Sequence, residues 1–334
     1  MSISIDRARA VLSQFARQRI LVVGDLMLDR YIHGAVSRIS PEAPVPVVRV
    51  TQERSVPGGA ANVAANIGSL GAGAASCGIL GRDTAGQELR ALLEKTGVHL
   101  DGCLDDPGWR TIVKTRVIAE RQQVVRVDWE DDFELGGPRL AAFCERVDRE
   151  TRRATGVIIE DYGKGLIQQA VVDTALKAAA EKGIPCGLDP KENHELAMSG
   201  ITVATPNRKE AFAIARVAES APQPDPLRDR ALRTVSEELL SKWSPRLLVI
   251  TLGAHGMLLA SRGEAPRHVP TRAREVFDVS GAGDTVIAAC VLSLAAGATP
   301  LEAAELANFA AGVVVGKLGT ASCTQEELLG YMMA

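Results

Sequence analysis

The 334 residues include six cysteines, at 77, 103, 144, 186, 290 and 323, and no two of them form a C-x-x-C pair. No histidine lies at zinc-finger spacing from them, so reduced thiols are expected. An excess of positive charge is missing too. Thirty-eight Lys and Arg against 41 Asp and Glu leave a formal net charge of −3, which argues against a nucleic-acid-binding face. The opening residues carry no apolar signal core, and no uncharged stretch is long enough to span a bilayer. The expectation is a cytoplasmic chain without a membrane partner. Internal repeats and low-complexity tracts are lacking, apart from a Pro-rich stretch over 220–229 expected to be a mobile loop. What is present, 46% apolar and 24% charged residues, is ordinary for a globular protein able to bury a substantial core.

Short apolar runs recur along the chain: 19–25, 156–161, 184–190, 201–207 and 246–253. Between them lie helix-like stretches over 168–182, 209–218 and 226–242. This alternation predicts βαβ units, hence a doubly wound, mostly parallel α/β sheet covered on both faces. Asp, Asn and Gly gather just past the strand ends, where open α/β sheets bind ligands. Two regions, 31–51 and 111–129, break the rhythm and read as strands with charged residues on one side. They are expected to form a small β-sheet lid, with Pro41, Pro44 and Pro46 blunting its edge; an ordinary surface hairpin is the alternative.

The most informative segment is Asp278-Val279-Ser280-Gly281-Ala282-Gly283-Asp284, followed by an apolar run from Thr285 to Ala296. Small residues there bring bare backbone N–H groups to the start of a helix, where unpaired amides and the macrodipole receive an anion. A carboxylate, Asp284, stands at the mouth of the same turn. An anion cradle beside a proton acceptor suits transfer of a phosphoryl group onto an alcohol, although a capping role for Asp284 is the structural alternative. Farther upstream, the diglycine Gly58-Gly59 leads into a helix of small residues carrying Asn62. The diglycine lets backbone touch a ligand, and Asn62 offers both a donor and an acceptor to sugar hydroxyls. Gly78 to Gly86 forms another glycine-punctuated strand, turn and helix.

Taken together, these segments resemble the ribokinase-like carbohydrate kinases, also named for phosphofructokinase B. The resemblance covers nearly the whole chain, with its two glycine signatures about 220 residues apart in the expected order. It implies one kinase domain over 1–334, ATP as co-substrate and Mg2+ as cofactor. Gly24 to Tyr31, Arg38 to Val48, Asp161-Tyr162-Gly163-Lys164-Gly165 and Asp189-Pro190-Lys191 are similar to the branch that phosphorylates D-glycero-D-manno-heptose 7-phosphate at its anomeric hydroxyl. Its product, heptose 1,7-bisphosphate, leads to ADP-heptose and the lipopolysaccharide core. Where that kinase is fused to an adenylyltransferase, an H-x-G-H motif marks the second domain. None occurs here, so a separate protein is expected to supply that activity. Kinases of ribose, or those forming fructose phosphates, are the alternative.

The resemblance also implies roles. Asp284 would accept the C1 hydroxyl proton, or chiefly orient the hydroxyl if the proton leaves late. The amides of Gly281, Ala282 and Gly283 would stabilise the transferring phosphoryl group. Asn207 and Glu210, matching the family's N-x-x-E element, would hold Mg2+ through waters, although the same spacing spells a capping box. Thr251, Gly253 and Gly256 form the expected nucleotide turn, with Asn308 near the adenine. Asp29 or Asp25, together with Gly58, Gly59 and Asn62, would meet the sugar. Arg38, Lys114, Arg116, Arg121 and Arg126 on the lid, with Lys164 and Lys191 at sheet ends, are the cations offered to the substrate phosphate. Exposed lid edges predict a homodimer.

Three rivals are weaker. Asp83 to Glu88 spells a switch sequence of small GTPases, but no G-x-x-x-x-G-K-[ST] precedes it. A nicotinamide enzyme needs a dinucleotide fingerprint that the first strand lacks. A sugar sensor without catalysis would have no need of Asp284, the glycine turn and the Asn207–Glu210 element together.

Overall fold

The computed structural model describes residues 3–334 except 121, 132, 193, 274, 275 and 318. It is the expected doubly wound α/β arrangement with a second, smaller sheet. Eight strands form the main sheet. In spatial order they are Arg267–Val269, Met257–Ala260, Leu247–Thr251, Val203–Ala204, Cys186–Asp189, Gly156–Glu160, Arg19–Gly24 and Gly73–Cys77. The last six are mutually parallel, and the first two close one side as an antiparallel extension.

Strand alternation divides the core in two. Ile20 and Val22 face one cluster, with the helices Ala60–Ser69, Ala282–Ala295 and Pro300–Val315. Leu21 and Val23 face the other, with Gly137–Arg153, Gln169–Lys182 and Arg230–Trp243. Burial on both faces explains why these strands read as unbroken apolar runs.

Capping residues set several boundaries. Asp229 accepts the Leu232 amide at 3.1 Å and begins the helix Arg230–Trp243. The stretch expected to be helical from 226 therefore splits, its first turn being the 3-10 segment Pro226–Arg228 inside the supposed mobile loop. The helix expected over 209–218 is shorter, Arg208–Ile214, and Arg216 just beyond it has a left-handed φ of 55°. Asp83 accepts the Gly86 amide at 2.7 Å and the Thr111 amide at 2.9 Å. The GTPase-like letters thus spell a helix cap.

The small sheet has the order Pro46–Gly59, Leu26–Ile39, Ile112–Ala119 and Gln122–Trp129. Its first two strands extend farther inward than the charge pattern suggested, starting at Leu26 and ending at Gly59. The inner ends, Leu26 to Asp29 and Pro57 to Gly59, are largely buried and so lack the alternation that marks the outer halves. Pro41 and Pro44 lie in the turn between these strands, and only Pro46 is on the edge strand itself. Gly58 and Gly59 end a strand instead of forming a free turn. A Cβ at 58 would lie 2.8 Å from the Asp29 carboxylate, and one at 59 would lie 2.8 Å from the Asp25 carbonyl. Among the described residues no helix is long and apolar enough to cross a membrane.

Candidate functional site

Five parallel strands end at the same side of the main sheet, and they deliver Asp25, Glu160, Asp189, Asn207 and Thr251 there. Into this row the helix Ala282–Ala295 inserts its first turn. Gly281 caps it in a left-handed conformation, φ 76°, and a Cβ there would lie 2.8 Å from the Asn62 amide nitrogen. Glycine is therefore required twice over, by the backbone and by the neighbour. The Ala282 amide is directed at the Val279 carbonyl, 3.3 Å away. Of the three amides expected to meet an anion, this one is partly engaged. First-turn amides have no intrahelical acceptor; that of Asp284 favours its own carboxylate, and that of Gly283 remains as a donor of the turn.

Asp284 is 7% exposed, and both of its oxygens have donors. Asn62 Nδ2 donates to Oδ2 at 2.6 Å, and the Tyr162 hydroxyl donates to Oδ1 at 3.0 Å. Burial raises the Asp284 pKa, against the lowering effect of these two hydrogen bonds. Asn62 is itself fixed: Asn66 Nδ2 donates to its carbonyl at 3.0 Å, and Thr285 Oγ1 donates to Asn66 Oδ1 at 3.0 Å. The two helices thus share one buried polar chain, of the fully partnered kind that specifies a unique geometry.

Glu160, Asp189 and Asp284 bring carboxylate oxygens within 4.8 Å of one another. Burial and mutual repulsion push the pKa of Glu160 and of Asp189 well above the usual carboxylate range. Glu160 Oε2 is buried without a partner. Such an orphaned oxygen in a carboxylate cluster fits a hard divalent cation. Asn207 and Glu210 face the same cavity of about 160 Å3, as does Lys191. They also form the capping box: Asn207 Oδ1 accepts the Glu210 amide at 3.0 Å and Glu210 Oε2 accepts the Asn207 amide at 2.9 Å. Both roles foreseen for this pair are therefore compatible with its position. The sequence reading missed Glu160 and Tyr162 and gave Asp189 no role. The signal available was that Glu160 and Asp189 each close a buried strand, with Tyr162 two residues past the first.

A second cavity, about 230 Å3 and mostly apolar, adjoins the same turn. Thr251, Gly253, Gly256 and Asn308 line it, as expected of a nucleotide pocket, together with Ala282 and Gly283. Asn308 Nδ2 donates to the Pro270 carbonyl at 2.8 Å.

On the opposite flank Arg116 Nη1 pairs with Asp29 Oδ1 at 2.7 Å and lies over the Tyr31 ring. Lys114 Nζ is 5.7 Å from the centre of the Tyr162 ring, and burial together with the charge of Lys164 lowers its pKa. Lys164 pairs with Glu130 at 2.7 Å and borders a separate cavity beside His194. Not every expected cation gathers here. Arg38 is exposed on the outer part of the small sheet, and Arg126 is exposed and paired with Asp128 at 2.9 Å. Those positions lie on the solvated half of the strands. Arg121 lies outside the described residues.

Asp25, offered as an alternative sugar partner, is committed to backbone. Its Oδ2 accepts the Tyr162 amide at 3.1 Å and the Lys164 amide at 3.2 Å. Burial, then the charge of Asp161, raises its pKa to about 6. A carboxyl group raised in this way favours the folded state when protonated. That contribution is fully present below the unfolded value near 4 and is lost as pH rises through about 6. Asp25→Asn lacks it. Between pH 4 and pH 7 the natural protein should lose about 2 kcal/mol of stability relative to this variant. Parallel unfolding curves for the two proteins at both pH values would overturn the assignment.

A family model described as pfkB family carbohydrate kinase matches residues 17–327. The bifunctional protein HldE of Nitrosococcus oceani is 46% identical over 320 residues, covering 95% of this chain and 64% of that protein. HldE of Pseudomonas aeruginosa is 45% identical over 316 residues, again 64% of its length. The chain thus spans a little under two thirds of the curated relatives it matches. Among solved structures, Arabidopsis thaliana ribokinase complexed with ribose and ATP superposes with a TM-score of 0.72 at 20% identity, over 95% of this chain and 99% of that one. Escherichia coli phosphofructokinase-2 in complex with potassium gives 0.73 at 20% identity, over 95% and 100%. At such identities these two structures speak for the fold.

Proposed function

The chain belongs to the pfkB family of carbohydrate kinases, and from that premise we propose that it transfers the γ-phosphoryl group of ATP to the C1 hydroxyl of D-glycero-D-manno-heptose 7-phosphate. The observation that carries the reading is the buried Asp284 carboxylate, oriented by Asn62 and Tyr162 at a helix N-terminus between an apolar cavity and a cluster of carboxylates. The adenine and ribose occupy the apolar cavity beside Gly253, Gly256 and Asn308. The phosphates then run toward the amide of Gly283. Helix-terminal amides favour charge that builds on the transferring oxygens. Mg2+ held among Glu160, Asp189 and Glu210 would supply charge neutralisation of the phosphate oxygens. Glu210, half-buried and facing the same cavity, keeps a raised pKa from burial, with Lys191 acting in the opposite direction.

The acceptor approaches from the small-sheet side, with Asp29 and Asn62 near its hydroxyls. The phosphate that it already carries meets Lys114 and Arg116, with Lys164 beside them. Asp284 orients the C1 hydroxyl and receives its proton. Support for the heptose 7-phosphate comes from the Asp161–Gly165 and Asp189–Lys191 segments and from identities near 45% to the HldE proteins. The product, heptose 1,7-bisphosphate, would enter ADP-heptose synthesis for the lipopolysaccharide core, with the kinase in the cytoplasm.

A screen of sugars and sugar 7-phosphates by ATP-coupled ADP release, with the phosphorylated carbon located by NMR, tests the reading. Heptose 7-phosphate should give the highest kcat/KM, phosphorylation at C1 and no turnover in excess chelator. Higher kcat/KM for ribose or a fructose phosphate would replace the substrate, and full activity in chelator would remove Mg2+.

The partner we infer is a second copy of the chain. Ile39 and Val50 on the small sheet are more than half exposed, and Val125 and Trp129 on its far strand are exposed as well. Apolar patches beside open strand edges are liabilities unless covered. Sedimentation at micromolar concentration should give a dimer, which Val125→Lys with Ile39→Lys should dissociate. A monomeric natural protein would refute the pairing.

A further inference from the structure

In the site as found, each oxygen of Asp284 already accepts a side-chain hydrogen bond. Asn62 occupies Oδ2, and the Tyr162 hydroxyl occupies Oδ1, reaching it across 122 positions of sequence. The two contacts differ in kind. Asn62 stands on a helix and accepts from Asn66, which the Thr285 hydroxyl holds in turn. Tyr162 stands on the turn Asp161–Gly165, whose backbone is held from below by Asp25 and whose ring has the Lys114 ammonium 5.7 Å above it. Of the two donors, only the phenol stands outside a helix.

We infer that Tyr162 is a positioning residue that closes the proton-accepting oxygen of Asp284 until an acceptor alcohol displaces it, so that water is not activated against bound ATP. The inference rests on the proposal that ATP binds with its γ-phosphate at this turn. Exchange of phenol for sugar hydroxyl replaces one O–H donor on Oδ1 by another, so the carboxylate stays hydrogen-bonded throughout. Without the phenol oxygen, the space beside Asp284 is about that of one water and is lined by polar groups, conditions under which a cavity fills. The reaction so opened is ordinary hydrolysis. The water oxygen bonds to the γ-phosphorus, the bond to the β–γ bridging oxygen breaks, ADP departs with that oxygen, and Asp284 takes the water's proton. Burial and the neighbouring Asp284 charge raise the Tyr162 pKa well above its ordinary value, which keeps the phenol a donor.

The test uses ATP and Mg2+ without any sugar. Tyr162→Phe, which retains the ring, should release ADP at least threefold faster than the natural protein, and adding Asp284→Asn should return the rate to the natural level or below. A rise of less than threefold overturns the inference, as does a rise that survives Asp284→Asn. A loss of packing alone would not raise hydrolysis. Should Tyr162→Phe fail to fold by thermal melting, Tyr162→Met, which also lacks the hydroxyl on Oδ1, is held to the same threshold. Because no sugar enters the assay, an error in the choice of heptose leaves this result readable. Failure of ATP to bind in calorimetry would sink both readings.

Discussion

Asp284→Asn should lower kcat roughly a hundredfold to ten-thousandfold while leaving KM for ATP within a few-fold, as loss of a positioned proton acceptor does. The fold should survive. Asp284 is 7% exposed, and its charged form is disfavoured by burial, so a neutral amide of the same shape relieves a desolvation cost. Against that gain, one of the donors Asn62 and Tyr162 loses its acceptor, at about 1–3 kcal/mol. The net change in stability should be about 1 kcal/mol or less, measured by urea unfolding. Turnover and stability therefore part company, which distinguishes a chemical role from a helix-capping one. The pH dependence has a definite sign. The proton acceptor must be ionised, and its pKa is raised. The acid limb of kcat/KM should then lie above the ordinary carboxylate range, with activity lost as pH falls through it. A variant within tenfold of natural turnover would remove Asp284 from the chemistry.

Gly165→Ala should be nearly as damaging by another route. Gly165 has φ 90°, and a Cβ there would lie 1.6 Å from the Phe133 carbonyl oxygen. Both faults are backbone against backbone, so no rotamer relieves them. Left-handed strain and overpacking each cost about 1–3 kcal/mol, and together with displacement of the turn a loss of about 3–5 kcal/mol is expected. The midpoint of urea unfolding reads it directly. Whatever folded protein remains should also turn over slowly. The same turn carries Tyr162 to Asp284, and Asp25 holds its amides. A loss below about 1 kcal/mol would mean that the backbone at Phe133 yields freely.

The fold was legible because its signals are local. Runs such as Arg19–Gly24 are buried on both faces and so appear as unbroken apolar letters. Glycine before the helix Ala282–Ala295 marks its start, and Asn207 with Glu210 spells a cap. The inner ends of the small-sheet strands were missed because burial there erases the alternation that reveals their outer halves. In the candidate site, motifs pointed to Asp284, Asn62, Asn207 and Glu210, which the fold brings to one end of the sheet. Glu160 was not, because a glutamate closing a buried strand looks like the beginning of a polar loop. Nor could Tyr162 be assigned, since its meaning lies in a hydroxyl that meets a residue 122 positions away. Choosing between Asp25 and Asp29 needed coordinates as well. Four residues apart in one segment, they differ in what they accept from: backbone amides for the first, Arg116 for the second.

The link between Asn62 and Asp284 spans 222 positions of sequence. One half of that link leaves the ribosome long before the other. While synthesis proceeds, a growing chain can settle its early strands, yet Asn62 has no Asp284 acceptor until residue 284 has emerged and docked. Synthesis cut short before that residue leaves the two helices without the contact that joins them.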